Sequence, residues 1–568
     1  MSSPQRLMTE RLADEVDVIV LGSGAAGLVA ALAASDAGAT VAMFERAGLL
    51  GGATAISGGV CWVPMNHHMD EAGIADSREE TLRYLDSLSL GQMDPELARA
   101  FVDGARGTVE WLEQVTDLQF TAILGYPDYH PEHPGGRPEG GRSLDPGLFS
   151  YHRLGPWASL VAASRRSVRL RITDTTIGGG TGFLDDETLA HREEYDLRGC
   201  GAALVGPLLA ALLAAGVEPV LKARATELVI ENGRVCGVRI AHESADHPDA
   251  VQLVRARRGV IIATGGFEWN PDLVTAFLRG PMTAPASVPS NEGDGLVMAM
   301  RAGASLANMP QAWWAPTVRV PGDEAFGRPR ATLLNRERTL PGSIMVNRAG
   351  LRFANEAANY NALGGAFHHL DPADFGYSNL PCWLVFDGRN ARTFGSFGTP
   401  AGAPIAPWIA RADTLADLAG ELGIDATNLT ETVNRWNAFV DAGDDADFGR
   451  GRSAYDRWSG DGRHRGELAS TLGRIDEAPF FAVEVHAGTL GTSGGPRTDA
   501  RGRVLDTSGT PIPGLFAAGN AAAAPTALAY GGAGGTLGPI IVFGRAAGLA
   551  AAHADSGSEH APLSGPVE

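Results

Sequence analysis

One stretch limits the fold more than any other: VDVIVLGSGAAGLVAALAA from Val16, followed by TVAMFE ending at Glu45. Residues Val16 to Leu21 read as a buried strand. Ala25 to Ala37 reads as an alanine-rich helix, and Thr40 to Phe44 as a second strand, so the chain opens with a β-α-β unit. Gly22, Gly24 and Gly27 stand in GxGxxG order between strand and helix. The first permits a tight turn and the second lets the backbone approach a pyrophosphate. The third lets helix and strand pack closely. The helix N-terminus, at Ala25 and Ala26, offers free N–H groups to phosphates, and Glu45 is placed to bind both hydroxyls of a ribose.

At 568 residues the chain has room for two to four domains. Residues 77–115 read as helical, and 125–157, dense in Pro, Gly, Tyr and His, as an ordered loop. Ala202 to Ala215 is an apolar helix. It leads into a hairpin, ATELVIENGRVCGVRIA, with its turn at Asn232-Gly233. Arg258 to Thr264 is a third buried strand. From 308 to 478 the chain is tryptophan-rich and mixes strands with a helix around 414–441. This predicts an α/β protein in which a Rossmann-like domain (1–307 and 479–568) carries an inserted α+β catalytic domain (308–478). The last residues, DSGSEHAPLSGPVE, have the composition of a frayed tail.

The net charge of −20 repels nucleic acid and anionic membrane, so no nucleic-acid partner is expected and membrane association is peripheral at most. Cys61, Cys200, Cys236 and Cys382 form no CxxC pair, which disfavours a disulfide framework or structural zinc. His67-His68, His130 and His133 lie in loops without a HExxH helix, so no metal site is assigned. The polar N-terminus has no signal-peptide core, and a cytoplasmic location is expected. Phe516 to Gly544 carries no charge, yet glycines and Pro525 and Pro539 break it. It reads as a core element rather than a membrane span.

Two further segments decide the cofactor. Gly52, Ala53, Thr54, Ser57, Gly58 and Gly59 follow Glu45 as a small, hydroxyl-bearing loop that can pass under an extended dinucleotide. Near the C-terminus, VLDTSGTPIPGLFAAGN resembles the second motif of FAD enzymes, with Gly519 and Asn520 beside the ribityl and pyrophosphate. Thr536 and Leu537 then open an apolar helix whose N-terminus can face the flavin edge that becomes negative on reduction. Non-covalent FAD is the reading.

The likeness extends further. RGVIIATGGFEWN, NEGDG, GSIMVNRAGLRFANEAANY, RGRSAYDRW, LGTSGGPRTD and YGGAGGTLGP together resemble the 3-ketosteroid Δ1-dehydrogenases, within the fumarate-reductase-like flavoprotein superfamily. The resemblance adds Arg46, Ala225, Ala263, Gly265, Asn291 and Asp294 to the cofactor contacts. It also implies 1,2-desaturation of a 3-ketosteroid. Only nine tyrosines are present, and three stand at the family's catalytic places: Tyr129, Tyr360 and Tyr530, with Gly534 as a fourth participant. By this resemblance the Tyr530 O–H and Gly534 N–H polarise the ketone. Tyr360 removes the neighbouring proton, Tyr129 supports its phenolate, and a hydride leaves to the flavin. Trp313, Trp314 and Phe353 are candidate apolar walls. No second nucleotide fold is present, so an external acceptor such as a quinone is expected.

Two departures mark this chain. The family's Tyr-Pro-Gly-Pro-Gly loop is Tyr530-Gly531-Gly532-Ala533-Gly534, whose missing prolines predict a looser loop. Its Gly-Thr-Lys-Gly-Gly is Gly491-Thr492-Ser493-Gly494-Gly495, without the cation. Another cyclic ketone or another steroid ring bond is the alternative substrate. A fumarate-reductase-like ene reduction is a second alternative; it needs a carboxylate clamp, for which Arg348, Arg352, His368 and His369 are the nearest residues.

Overall fold

The computed structural model describes residues 14–164, 167–242 and 251–555; the polar N-terminus and all but the first residue of the C-terminal tail lie outside them. Strand β1 (Glu15–Leu21) is followed by helix α1 (Ala25–Asp36) and strand β2 (Val41–Phe44), as the opening motif predicts. Strand β3 (Val251–Ile262) lies on the other side of β1 and parallel to it, with Leu21 opposite Ile262 on one flank and Phe44 on the other. The pairing direction follows from the strands themselves. Val18, Ile19, Val20, Val260, Ile261 and Ile262 are all buried, as strands covered on both faces must be. The crevice for a ligand opens at the carboxyl ends of β1 and β3, where the strand order reverses.

The hairpin is present as expected. Ala223–Glu231 pairs with Arg234–His242 across Asn232 (φ 51°) and Gly233 (φ 76°), and its second strand pairs with β3. Both turn residues take the left-handed conformation that a two-residue hairpin turn requires.

A second, six-stranded sheet is built on β4 (Ala312–Val318) and β5 (Phe480–Thr492), which run antiparallel to each other. β5 also pairs with Cys382–Phe386, which pairs with Ser343–Asn347. Every residue of those two strands is buried. Their side chains alternate: Ile344, Val346 and Val385 face helices Leu415–Leu422 and Ala426–Ala442, while Met345, Leu384 and Phe386 face the opposite cluster. The second sheet therefore extends to Thr492.

The chain then returns to the first sheet as β6 (Pro511–Ala517), where Ile262 lies opposite Ala517. It closes with helix α3 (Leu537–Ala552), which packs on α1. Contact is backbone to backbone, since a Cβ at Gly548 would lie 2.3 Å from the Ala30 carbonyl oxygen. The uncharged run from Phe516 to Gly544 is thus the end of a strand, a buried loop and a packed helix. Among the described residues no helix is long and apolar enough to cross a membrane.

Other elements differ from the sequence expectation. The helix over 77–115 is two, Arg78–Ser89 and Pro95–Val115, parted where Leu90 turns left-handed and Asp94 caps the second helix. The helix near 414–441 breaks at Gly423, and Asp425 caps its second half. The 125–157 loop contains a strand, Gly140–Asp145, paired with Cys61–Trp62 and Thr121–Leu124. Its strand signal is hidden by Gly140 and Gly141, and Arg142 is fully buried through ion pairs to Asp76 and Asp128.

Candidate active site

The crevice beyond β1 and β3 is walled largely by backbone and small side chains. Of the expected cofactor contacts, Gly22, Gly24, Ala25, Ala26, Glu45, Arg46, Gly52, Ala53, Thr54, Ala225, Ala263, Gly265, Asn291, Asp294, Gly519 and Asn520 line one cavity. Gly22 turns the chain with φ 101°, and a Cβ there would sit 2.4 Å from the Ala263 carbonyl oxygen. Thr54 Oγ1 accepts the Ala25 N–H that starts α1 (3.1 Å). Glu45 is buried and held by the Ser23 N–H (3.0 Å), the Ser23 hydroxyl (2.7 Å) and the Ala47 N–H (2.8 Å). Burial raises its pKa, and the Ala47 and Ser23 hydrogen bonds oppose that rise. Arg46 reaches across the crevice to Asp294 (3.0 Å) and Glu292 (2.7 Å), joining β2 to the 290–294 turn.

Six expected contacts lie off this cavity. Gly27 packs against Gly22, where a Cβ would be 1.9 Å from its carbonyl oxygen. Ser57 and Gly59 bond to each other, and Gly58 faces Ile172. Leu537 begins α3. Thr536 lines an adjoining cavity that shares Gly519, Asn520 and Ile540 with the first. Ser23, which orients Glu45, is the contact that sequence reasoning passed over, although it occupies an x position of GxGxxG.

A second chamber is built of tyrosine. Five of the nine tyrosines, Tyr126, Tyr129, Tyr360, Tyr455 and Tyr530, fall in one buried cluster with Trp313. Tyr360 is the first residue of helix α2 (Tyr360–Phe367), which Asn359 caps through the Ala362 N–H (2.9 Å). Its hydroxyl lies 2.7 Å from that of Tyr530. Thr536 Oγ1 donates to the Tyr530 hydroxyl (3.2 Å). The Tyr129 ring stacks on Tyr530 at 5.4 Å and meets Tyr360 edge-on at 5.5 Å. Trp313 links the two chambers: its ring lies 5.3 Å from Tyr530, and its Nε1–H donates to Asn520 (3.0 Å).

The glycine loop after Tyr530 is not loose, contrary to expectation. The Gly531 carbonyl accepts from Tyr84 Oη (2.6 Å) and from the Tyr129 N–H (2.9 Å). The Gly534 carbonyl accepts from the Trp62 N–H (3.0 Å), and the Ala533 carbonyl from Ser143 (2.9 Å). Cβ atoms at Gly531 and Gly532 would come within 2.7 and 2.6 Å of the Trp62 ring. Glycine is needed there for packing, and hydrogen bonds replace the missing prolines. Gly534 adopts φ 87°, and its N–H has no acceptor among the described residues.

Burial pushes the Tyr360 phenol well above its ordinary value; the neighbouring Tyr530 adds to this, and a hydrogen bond from Tyr129 opposes it. Tyr129 is pushed well up for the same first reason. One buried cation works the other way. Arg338 is fully buried, and its field opposes the rise that burial causes in Tyr126 and Tyr455. Its Nη1 donates to the carbonyls of Glu356 and Ala358 (2.6 Å to the latter), just before Tyr360, while its Nη2 has no partner. Nothing in the sequence marks Arg338. Tyr455 lies in RGRSAYDRW, but only the fold brings it beside Tyr129 (5.0 Å).

The candidate carboxylate clamp is not assembled. Arg352 is buried in ion pairs to Glu356 (2.8 Å) and Asp445 (2.9 Å), which leaves it no free valence for a substrate. The histidine pairs set aside on sequence each meet a carboxylate, Glu113 for His67 and His68 and Glu132 for His130. Trp313 and Trp314 line a cavity of about 320 Å³ that Tyr530 also lines, whereas Phe353 packs on Phe367 away from it.

Residues 17–537 match the FAD binding domain family. A 4-oxocyclohexanecarboxylate 2-dehydrogenase of Sinomonas cyclohexanicum is 41% identical, over 94% of this chain and 92% of its own. A 3-oxosteroid 1-dehydrogenase of Mycobacterium tuberculosis is 38% identical, over 94% and 98%. The crystal structure of 3-ketosteroid delta1-dehydrogenase from Sterolibacterium denitrificans in complex with 1,4-androstadiene-3,17-dione superposes with a TM-score of 0.86 at 33% identity, covering 95% of this chain and all of that one. The chain belongs to the 3-ketosteroid Δ1-dehydrogenase family. It is an FAD-dependent oxidoreductase that dehydrogenates a cyclic ketone. The cradle fits that cofactor: a buried carboxylate at the end of β2, an open helix N-terminus, and a crevice lined by Gly22, Gly24, Gly52, Gly265 and Gly519.

Proposed function

We propose that the tyrosine chamber removes two hydrogens from adjacent ring carbons beside a ketone, with Tyr360 as base. The observation that carries this reading is the 2.7 Å contact between the Tyr360 and Tyr530 hydroxyls. A ketone oxygen and the hydrogen on its α-carbon are separated by a few bonds, so the polarising donor and the base must sit side by side. Thr536 already donates to Tyr530. The Tyr530 hydroxyl proton is then offered to a ketone oxygen, which replaces the contact with Tyr360. The Gly534 N–H is the second donor, and each is worth about 3–4 kcal/mol of transition-state stabilisation.

Tyr360 then takes the α proton. Its phenolate is costly in a buried site, and the Tyr129 hydroxyl lowers that cost as a hydrogen-bond donor. The cradle residues named above would hold FAD, which when bound would supply the acceptor for a hydride from the β carbon. Buried aromatic walls exclude water while both hydrogens depart. We further propose a quinone-type acceptor for reoxidation, and a two-unit division with the cofactor held mainly by 1–307 and the C-terminal return.

Ring A of a 3-ketosteroid is the substrate proposed first, supported by the Mycobacterium tuberculosis and Sterolibacterium denitrificans relatives. A monocyclic ketone is the second reading, supported by the Sinomonas relative. The test is anaerobic addition of 4-androstene-3,17-dione to the yellow holoenzyme. Bleaching of the flavin with a product lighter by one H₂ is expected. A flavin that stays oxidised with this and related steroids sinks the steroid reading, and one that stays oxidised with every ring ketone sinks the chemistry.

A further inference from the structure

The cavity that Tyr530 closes has an electrostatic character that desaturating a neutral steroid does not call for. In a protein of net charge −20, its walls hold Arg279, His130 and His133, and no aspartate or glutamate. Arg279 stands out among them. Every close ion pair of the described residues involves another side chain; Arg279 has no carboxylate partner among them.

Its guanidinium is nevertheless held in place. Nε donates to His368 Nδ1 (3.2 Å). His368 Nε2 lies 2.9 Å from the Pro281 carbonyl, which can only accept, so the histidine proton is on Nε2 and Nδ1 is the acceptor. The guanidinium lies 5.2 Å from the centre of the Trp314 ring, and His368 meets the same ring edge-on at 4.5 Å. Arg279 is thus oriented through one nitrogen and one stacked face. Its two Nη groups, the fork that matches a carboxylate, have no acceptor among the described residues.

Trp314, on which the guanidinium stacks, is 2% exposed and lines the same cavity. The arginine fork and Tyr530, on the walls of one cavity, form a two-ended site. One end takes a ketone oxygen and the other an anion.

We propose that Arg279 binds a carboxylate on the substrate, so that the enzyme's substrate class is a ring ketone that also carries a carboxylate. This rests on the ring-ketone reading above and narrows it. The anchor is a positioning element: it sets which ring carbon lies under Tyr360, and it takes no part in moving protons or hydride. A monocyclic keto acid and a 3-ketosteroid with a carboxylated side chain share this chemistry.

The test compares acid with methyl ester on the holoenzyme in both series, 4-oxocyclohexanecarboxylate and 3-oxo-4-pregnene-20-carboxylate. A charge-assisted contact predicts kcat/KM about 10- to 100-fold higher for the acid than for its ester, mostly through KM. Whichever series shows this preference identifies the source of the carboxylate. In Arg279→Gln the acid-to-ester ratio falls toward one. An acid and ester of equal kcat/KM in both series, or a ratio unchanged in Arg279→Gln, overturns the proposal. Calorimetric binding of cyclohexanecarboxylate, which has no ketone to dehydrogenate, separates the two layers. If no ring ketone bleaches the flavin yet this acid binds, and binds at least about tenfold more weakly to Arg279→Gln, the anchor stands and the dehydrogenation reading falls. If the acid does not bind native enzyme, the anchor falls on its own.

Discussion

The cofactor cradle and the tyrosine chamber lie side by side, joined by Trp313 and Asn520, yet they are built by opposite means. The cradle is mostly backbone. Gly22, Gly24, Gly52, Gly265 and Gly519 line it, and its buried carboxylate, Glu45, lies a strand away from the motif. The chamber is mostly side chain, with phenols contributed by the 126–129 loop, the start of α2, the 454–458 helix and the 530–536 loop. The cradle tolerates variation wherever the backbone shape survives. The chamber depends on individual hydroxyls and on a buried cation, Arg338, that touches none of the reacting atoms.

That contrast makes separable predictions. The largest effect is expected in the cradle: Gly22→Val places a Cβ against the Ala263 carbonyl at a φ of 101°. Such strain costs about 1–3 kcal/mol before the clash is counted, and the protein should purify colourless, with its flavin-to-protein absorbance ratio near zero. A yellow Gly22→Val protein would show that the turn can relax. Next comes the chamber. Tyr360→Phe should stay yellow and bind ligand, but lose about 10²- to 10⁴-fold in the anaerobic bleaching rate, the range for a removed general base. If bleaching persists at the native rate, the base is another group and the two regions are less distinct than proposed.

The smallest effect at neutral pH concerns the protonation of the chamber. Burial raises the phenols of Tyr126, Tyr129, Tyr360, Tyr455 and Tyr530 in the folded state. Raised folded values mean that their contribution is fully present below the unfolded value of about 10 and is lost as pH climbs above it. Each tyrosine that remains protonated costs about 1.4 kcal/mol of stability per pH unit in that window. Melting temperature should be flat between pH 7 and 9 and fall steeply above 10, and Tyr360→Phe should soften the fall. A melting curve insensitive to alkali would mean that the chamber admits water and that its phenols titrate freely.

The legibility of each region follows from the same contrast. The cradle could be read from sequence because its requirements are local: a strand, glycines at fixed spacing, a helix start and an acid one strand later. The C-terminal return at Gly519 was legible for the same reason. The chamber could be read only in part. Tyr129, Tyr360 and Tyr530 were identified by resemblance, whereas Tyr126, Tyr455 and Arg338 were given no role until the fold brought them together. Where local rules met tertiary packing, local rules failed. The glycines after Tyr530 read as a loose loop, and the Trp62 ring and Tyr84 hydroxyl hold it fast. β5 looks like any buried strand until its partners in the second sheet are known.

The sequence by itself determined the class of protein: a nucleotide fold opened by Gly22 and Glu45, closed by α3, and bound to FAD. Those features are conditions on backbone conformation, which glycine, alanine and a capping hydroxyl meet without distant help. Tertiary structure alone decided which tyrosines share a chamber, which arginines are consumed in ion pairs and which face a cavity without one. Arg352 and Arg279 look alike in the sequence. Folding buries the first against two carboxylates and leaves the second stacked on Trp314 with its fork unclaimed, because a charge's role is set by the partners that packing brings to it.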